Sequence, residues 1–332
     1  MKRIAILGSG GMGTALALLF RRAGCAVSLW SRDPGQAAEM ARTRRNARHL
    51  PGAHLPDDIL VTSDADRATE RVDLAVVAVP SAYLRSTLLR LADVVPRGLP
   101  ALSVVKGIEN GSFARPSQII VETLGDRPVS VLSGPSHAEE LANGLPASVV
   151  VAGPDEALNL GVRDALNHGL FRVYTNPDAL GVELAGALKN VMGIAAGICD
   201  GLALGDNAKS ALLTRGLAEM SRFGVDQGAN PATFSGLAGV GDLITTCFSP
   251  FGRNRAVGER VGRGESISEV LGGMVNVAEG VPTTRSVHEQ ARARGVEVPI
   301  TDQLNLVLFH GKSPSDALLS LMDRSPKVEW PL

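Results

Sequence analysis

The chain has 332 residues, 45% of them hydrophobic, and its 33 basic and 34 acidic side chains nearly cancel. That length exceeds one ordinary core and predicts two domains, while the charge balance argues against a nucleic-acid or anionic-membrane partner. Cys25, Cys199 and Cys247 stand far apart and the six histidines form no Cys/His cluster, so neither a disulfide framework nor a structural zinc is expected, and a reducing cytoplasm is.

Met1, Lys2 and Arg3 ahead of an apolar run imitate a signal peptide, but Gly8, Gly10, Gly11 and Gly13 break the run and Arg21 and Arg22 follow it. A secretory helix is not built this way. No run of about eighteen apolar residues occurs, so no membrane span is expected. Short apolar runs at 3–7, 27–30, 74–79, 101–105, 129–132, 148–152 and 171–175 read as strands. They are continuous rather than alternating, as for parallel strands buried on both faces. Helical patterns such as 13–23 and 83–91 lie between them, and Pro154 with Asp155 and Glu156 reads as a helix opening on proline. His49 and His54 fall in a Pro/Gly-containing segment that reads as a solvated loop.

From Asp178 onward helical periodicity dominates. The expected fold class is α/β: an N-terminal doubly wound Rossmann-type domain at 1–177, then an all-helical domain at 178–332. Gly193, Gly197, Gly201 and Gly205 recur every fourth residue, which lets another helix or a loop approach closely. Asp200, Asp206 and Lys209 interrupt this segment and exclude a membrane-dimer motif. Ser313, Pro314 and Asp316 signal the start of the last helix.

Two features carry chemistry. The run 3–7 leads into Gly8-Ser9-Gly10-Gly11-Met12-Gly13 and then a helix, a dinucleotide-binding fingerprint in its required setting. Gly8 permits the turn, Gly10 admits a pyrophosphate, Gly13 lets helix and strand pack, and the helix N-terminus faces the phosphates. The second strand ends at Ser31 and Arg32 where an NAD site usually carries an acid, so NADPH is expected to serve at least as well as NADH. The second feature is Lys189, followed by Asn190, in an apolar small-residue helix. Its neighbours three and four positions away are Ala185, Gly186, Met192 and Gly193, none of them a carboxylate. Its ammonium either reaches solvent or faces a site whose partner comes from elsewhere.

Ligands of a doubly wound sheet sit beyond the carboxyl ends of its strands. Here those ends carry Pro80 and Ser81, Lys106 and Gly107, and Ser133-Gly134-Pro135-Ser136. Asp242, in a glycine-rich apolar setting, is a candidate partner for Lys189. Arg253 and Asn254 open a helix where arginine is disfavoured by the dipole, which favours a bound phosphate there.

Together, 8–15, 105–109, 132–138, 183–190, 239–246, 252–255 and 277–280 closely resemble the bacterial NAD(P)-dependent glycerol-3-phosphate dehydrogenase family across essentially the whole chain. The resemblance implies that Lys189 is the proton donor/acceptor and that Lys106 contacts substrate and cofactor. It implies substrate contacts from Gly134, Ser136, Asp242, Gly252, Arg253 and Asn254. Gly11, Met12, Arg32, Ala138, Val277 and Glu279 would line the cofactor with the glycine loop and Arg253. Met12 and His137 stand where the family often has aromatics. Asn190 either touches substrate or stitches the domains together. The implied reaction is reduction of dihydroxyacetone phosphate to sn-glycerol 3-phosphate for glycerophospholipid synthesis. In it Lys189 gives the proton, Asp242 orients it, Lys106 polarises the carbonyl and Arg253 holds the phosphate. The glycine-rich helix and the resemblance favour a homodimer. The alternatives are a 6-phosphogluconate or 3-hydroxyisobutyrate dehydrogenase-type enzyme, against which the Gly252–Arg255 cluster argues, and a nucleotide-sensing module without catalysis.

Overall fold

The computed structural model describes residues 1–274, 277–325 and 328–329. In chain order its first half comprises β1 (Arg3–Leu7), α1 (Gly11–Arg22), β2 (Ala26–Trp30), α2 (Pro34–Thr43), β3 (Arg45–Asn46), β4 (Leu50–His54), β5 (Leu60–Thr62), α3 (Ala65–Thr69), β6 (Leu74–Val77), α4 (Ser81–Leu91), β7 (Ala101–Ser103), α5 (Pro116–Leu124), β8 (Val129–Ser133), α6 (Ala138–Ala142), β9 (Ala147–Ala152), α7 (Glu156–Leu166) and β10 (Phe171–Asn176). Then follow α8 (Ala179–Gly201), α9 (Gly205–Asp226), α10 (Pro231–Phe234), a π-helical turn (Leu237–Gly241), α11 (Asp242–Phe248), α12 (Arg253–Gly262), α13 (Ile267–Gly272), α14 (Gly280–Arg294), α15 (Pro299–His310) and α16 (Pro314–Met322).

The seven expected strands all form and join β5 in one sheet of order β10-β9-β8-β7-β6-β1-β2-β5. The sheet is not wholly parallel: β9 runs antiparallel to β8, with Leu132 opposite Val151, and β10 follows β9. A strand buried on both faces has no alternation, and its direction leaves no trace in its apolar pattern. β5, three residues long, was not among the expected strands. Asp155, not Pro154, starts α7: it is the N-cap, and its carboxylate accepts the amide of Leu158. The expected cap at Ser313 is present, with Pro314 opening α16.

No strand follows Asn176 among the described residues. The second half is organised around α8, which is buried without interruption from Gly181 to Ile198 and packs against α9, α11, α12 and α14. A helix apolar on all sides belongs in a core. By length and composition α8 alone among the described helices could cross a membrane, but 94% of its most apolar window lies inside the protein.

The glycine row has a definite partner. A Cβ on Gly197 would lie 2.0 Å from the Arg255 carbonyl oxygen, one on Gly201 2.4 Å from that of Glu259, and one on Gly258 1.9 Å from that of Ile194. The backbones of α8 and α12 therefore touch. Gly205 does not belong to the row; it opens α9 at φ 80° with nothing within 4 Å of its Cβ position.

Candidate active site

The turn between β1 and α1 has the geometry its glycines require. Gly8 adopts φ 122°, and a Cβ there would meet the Ala78 carbonyl oxygen at 2.6 Å. A Cβ on Gly13 would lie 1.9 Å from the Gly8 carbonyl oxygen, whereas one on Gly10 would meet nothing within 4 Å. The turn is thus closed against the protein and open on the side where a pyrophosphate approaches the first-turn amides of α1, which lack intrahelical acceptors. The loop expected around His49 and His54 is instead the antiparallel hairpin β3–β4. From it, buried Asn46 donates to the Ser9 carbonyl and the Thr14 hydroxyl, both at 2.8 Å, and His54 Nδ1 meets the Arg44 carbonyl at 3.0 Å. Gly11 faces both the His49 carbonyl and Ala138, which would lie 3.0 and 3.6 Å from a Cβ. Met12 packs on the sheet core.

At the end of β2 the two charged residues separate in role. Asp33 caps α2, accepting the amides of Gly35 at 2.8 Å and Gln36 at 3.2 Å, so this carboxylate is committed to a helix rather than held for a ribose. Arg32 is exposed, with its guanidinium carbon 5.8 Å from the Tyr83 ring centroid.

The chemistry converges on Asp242, which the π-helical turn delivers to the start of α11. Its Oδ1 accepts from Lys189 Nζ at 2.6 Å and its Oδ2 from Lys106 Nζ at 2.7 Å. Lys189 is 7% exposed and does not snorkel to solvent; Thr246 Oγ1 at 2.6 Å is its second partner. Lys106 also donates to the Gly134 carbonyl at 2.9 Å and to Ser136 Oγ at 3.2 Å. Gly134, at φ 120°, turns that carbonyl inward. Gly186 and Gly193, which flank Lys189, are filled by protein: a Cβ on the first would meet Ser133 Oγ at 2.9 Å, and on the second Thr246 Cγ2 at 2.8 Å.

Burial lowers Lys189 to about 8, although Asp242 opposes the shift. Burial would raise Asp242, but the Lys106 and Lys189 ammoniums override it and hold the carboxyl below its usual range. The result is a fixed carboxylate beside an ammonium whose affinity for its proton is reduced, the combination needed in a general acid working near neutrality.

Around this triad the expected residues divide. Asn190 donates to the Lys106 carbonyl at 2.8 Å, which is the stitching role. Gly252 caps α12 and Arg253 begins it, exposed, with Nη1 donating to the Val277 carbonyl at 3.0 Å. Asn254 is buried and its Oδ1 accepts the Gly280 amide at 2.9 Å, tying α12 to the start of α14. Glu279 turns its carboxylate to Ser81, accepting that amide at 2.9 Å and the hydroxyl as well. Burial raises the Glu279 carboxyl.

Sequence reasoning missed Thr246, Asn46 and a set of buried glutamates that cap distant helices. Glu183 takes the Ser117 amide at 2.8 Å and Arg115 at 2.5 Å at the start of α5. Glu219 takes the amides of Ile300 and Thr301 at 2.8 and 3.0 Å at the start of α15. A charged residue inside an otherwise apolar helical face was the available signal for Glu183.

Family models described as NAD-dependent glycerol-3-phosphate dehydrogenase N-terminus and C-terminus match residues 3–159 and 178–319. A protein of Chlorobium limicola named glycerol-3-phosphate dehydrogenase (NAD(P)+) is 46% identical over 329 residues, covering 98% of this chain and 99% of that protein. One of the same name from Geobacillus kaustophilus is 47% identical, covering 99% and 96%. The crystal structure of glycerol-3-phosphate dehydrogenase from Coxiella burnetii superposes with a TM-score of 0.93 at 36% identity, covering 97% of this chain and 99% of that one. Sheet, glycine turn and lysine–aspartate cluster thus lie in a chain matched along nearly its full length, and that chain belongs to the NAD-dependent glycerol-3-phosphate dehydrogenase family.

Proposed function

We propose that this enzyme reversibly reduces dihydroxyacetone phosphate to sn-glycerol 3-phosphate with NADPH or NADH, supplying glycerophospholipid synthesis. The observation that carries the mechanism is the sharing of one buried carboxylate by Lys106 and Lys189. A nicotinamide dinucleotide held at the Gly8–Gly13 turn would supply or take up the hydride at C2. Lys189 Nζ gives a proton to the oxygen on C2 as negative charge builds there, a contribution typically of about 10²–10⁴-fold, and takes it back in the reverse direction. Asp242 fixes the direction of that ammonium and keeps it charged. Lys106, held by Gly134 and Ser136, turns a second positive group toward the same oxygen. Arg253 and the α12 N-terminus hold the phosphate. Arg32 would hold the 2′-phosphate of NADPH, a reading supported by the commitment of Asp33 to α2. The family resemblance and the three free thiols fit a cytoplasmic homodimer.

The test follows NADPH absorbance with dihydroxyacetone phosphate and with unphosphorylated dihydroxyacetone. Turnover of the first and little of the second is expected. Tight NADPH binding with no ketone-dependent oxidation would instead identify a nucleotide-sensing module.

A further inference from the structure

Four buried side-chain polar atoms have no hydrogen-bond partner among the described residues: Gln36 Nε2, Ser133 Oγ, His137 Nε2 and Thr283 Oγ1. A hydroxyl can rotate its hydrogen toward some acceptor, but a ring nitrogen points where the ring is held. Such an atom costs stability unless something arrives to satisfy it. Ser133 and His137 both lie in the strand-end segment that joins the two parts of the site, but only His137 carries a ring nitrogen fixed in direction. Ser136 before it bonds Lys106, and Ala138 after it faces Gly11 of the dinucleotide turn. The ring stands 6.0 Å from that of Phe251, tilted 57°, and Phe251 adjoins the Gly252–Arg253 anion site.

His137 is also within electrostatic reach of Lys189, Asp242 and Lys106. Burial, reinforced by the Lys189 ammonium, lowers its affinity for a second proton. The ring is therefore neutral, with one nitrogen a donor and the other an acceptor.

The proposed substrate has an unassigned group to match. The proposed mechanism gives its phosphate to Arg253 and its C2 oxygen to the lysines, and assigns no residue to its C1 hydroxyl. A hydroxyl both donates and accepts, so it satisfies Nε2 in either tautomer. We propose that His137 Nε2 hydrogen-bonds the C1 hydroxyl and so makes the enzyme select hydroxymethyl ketone phosphates over methyl ketone phosphates. This rests on the reaction assigned above.

The experiment crosses two substrates with three proteins. Dihydroxyacetone phosphate and hydroxyacetone phosphate, which lacks the C1 hydroxyl, are each reduced by wild type, His137→Phe and His137→Gln, with KM for NADPH measured alongside. Wild type favours the hydroxylated ketone by about tenfold or more in kcat/KM. His137→Phe loses about tenfold on that ketone and little on the other, so the preference collapses, and His137→Gln restores part of it through its amide. An equal loss on both ketones, an unchanged preference, or a rise in NADPH KM with the preference intact would overturn the proposal. Wild type inactive on both ketones would instead refute the assigned reaction itself.

Discussion

Asp242→Asn is the most informative perturbation because one side chain holds both lysines. The change preserves shape but removes the charge that both ammoniums share at 2.6 and 2.7 Å. Charge-assisted hydrogen bonds contribute roughly 1.5–3 kcal/mol each, so losing both costs roughly 3–6 kcal/mol, or about 10²–10⁴ in rate if the full amount is felt in the transition state. The asparagine oxygen still accepts one bond, which places the expected fall in kcat toward the lower end, about 10²–10³-fold. The pH profile separates this from general disruption. Lys189 stands at about 8 because burial lowers it while Asp242 raises it. Without the carboxylate the main raising causes are gone, and burial and the Lys106 charge, which both lower it, dominate. With Lys189 as the proposed proton donor, ketone reduction needs it protonated, so kcat/KM should fall on the alkaline side as it loses its proton, and in Asp242→Asn that limb should move to lower pH. A limb that stays in place or moves up, or a kcat within about threefold of wild type, refutes the role assigned to the carboxylate.

Arg253→Ala should raise KM for dihydroxyacetone phosphate about tenfold or more, with a smaller effect on kcat, in steady-state assays. Arg32→Asp should shift the kcat/KM preference toward NADH by about tenfold; an unchanged ratio removes Arg32 from cofactor choice. Gly197→Ala, which on an exposed helix would stabilise by about 1 kcal/mol, should instead lower the melting temperature, because its Cβ would meet the Arg255 backbone at 2.0 Å. Glu219 is pushed up to about 7 by burial, so between about pH 4.5 and 7 the folded state holds a proton that the unfolded state has lost. Its stabilising effect is complete below that window and fades as pH rises through it, by up to about 3 kcal/mol. Urea midpoints measured from pH 5 to 8 should show this slope in wild type and lose it in Glu219→Gln.

What the sequence revealed follows from how local each determinant is. The glycine turn, the strand runs and the Ser313 cap depend on a few adjacent residues, and all three were legible. The pairing of Lys189 with Asp242 shows in the sequence only as the lack of a carboxylate three or four residues away on the helix. The sharing of that carboxylate with Lys106, across 136 residues, leaves no periodic trace. The direction of β9 was hidden because burial on both faces erases alternation. Gly186 and Gly193, the small residues flanking Lys189, are filled by Ser133 and Thr246. A small residue signals close approach without saying what approaches.

The distant caps explain how a site split between two halves of the chain keeps its geometry. Lys106 follows a strand, Lys189 rides on α8, and Asp242 follows a π-helical turn. Their bonds at 2.6 and 2.7 Å leave little tolerance, and misplacement by about 1 Å can cost about 10²-fold in rate. Three contacts set the register. Glu183 of α8 caps α5 through Ser117, Glu279 at the start of α14 caps α4 through Ser81, and Asn190 of α8 holds the Lys106 carbonyl. Each carboxylate meets a helix N-terminus, where its charge is favoured and free amides await acceptors. Because Lys189 and Asn190 are consecutive on α8, the contact that holds the backbone of Lys106 also sets where its ammonium stands relative to that of Lys189. The apolar core supplies cohesion between the halves without direction; the buried polar contacts at the seam supply the direction that the two lysines need to reach one carboxylate.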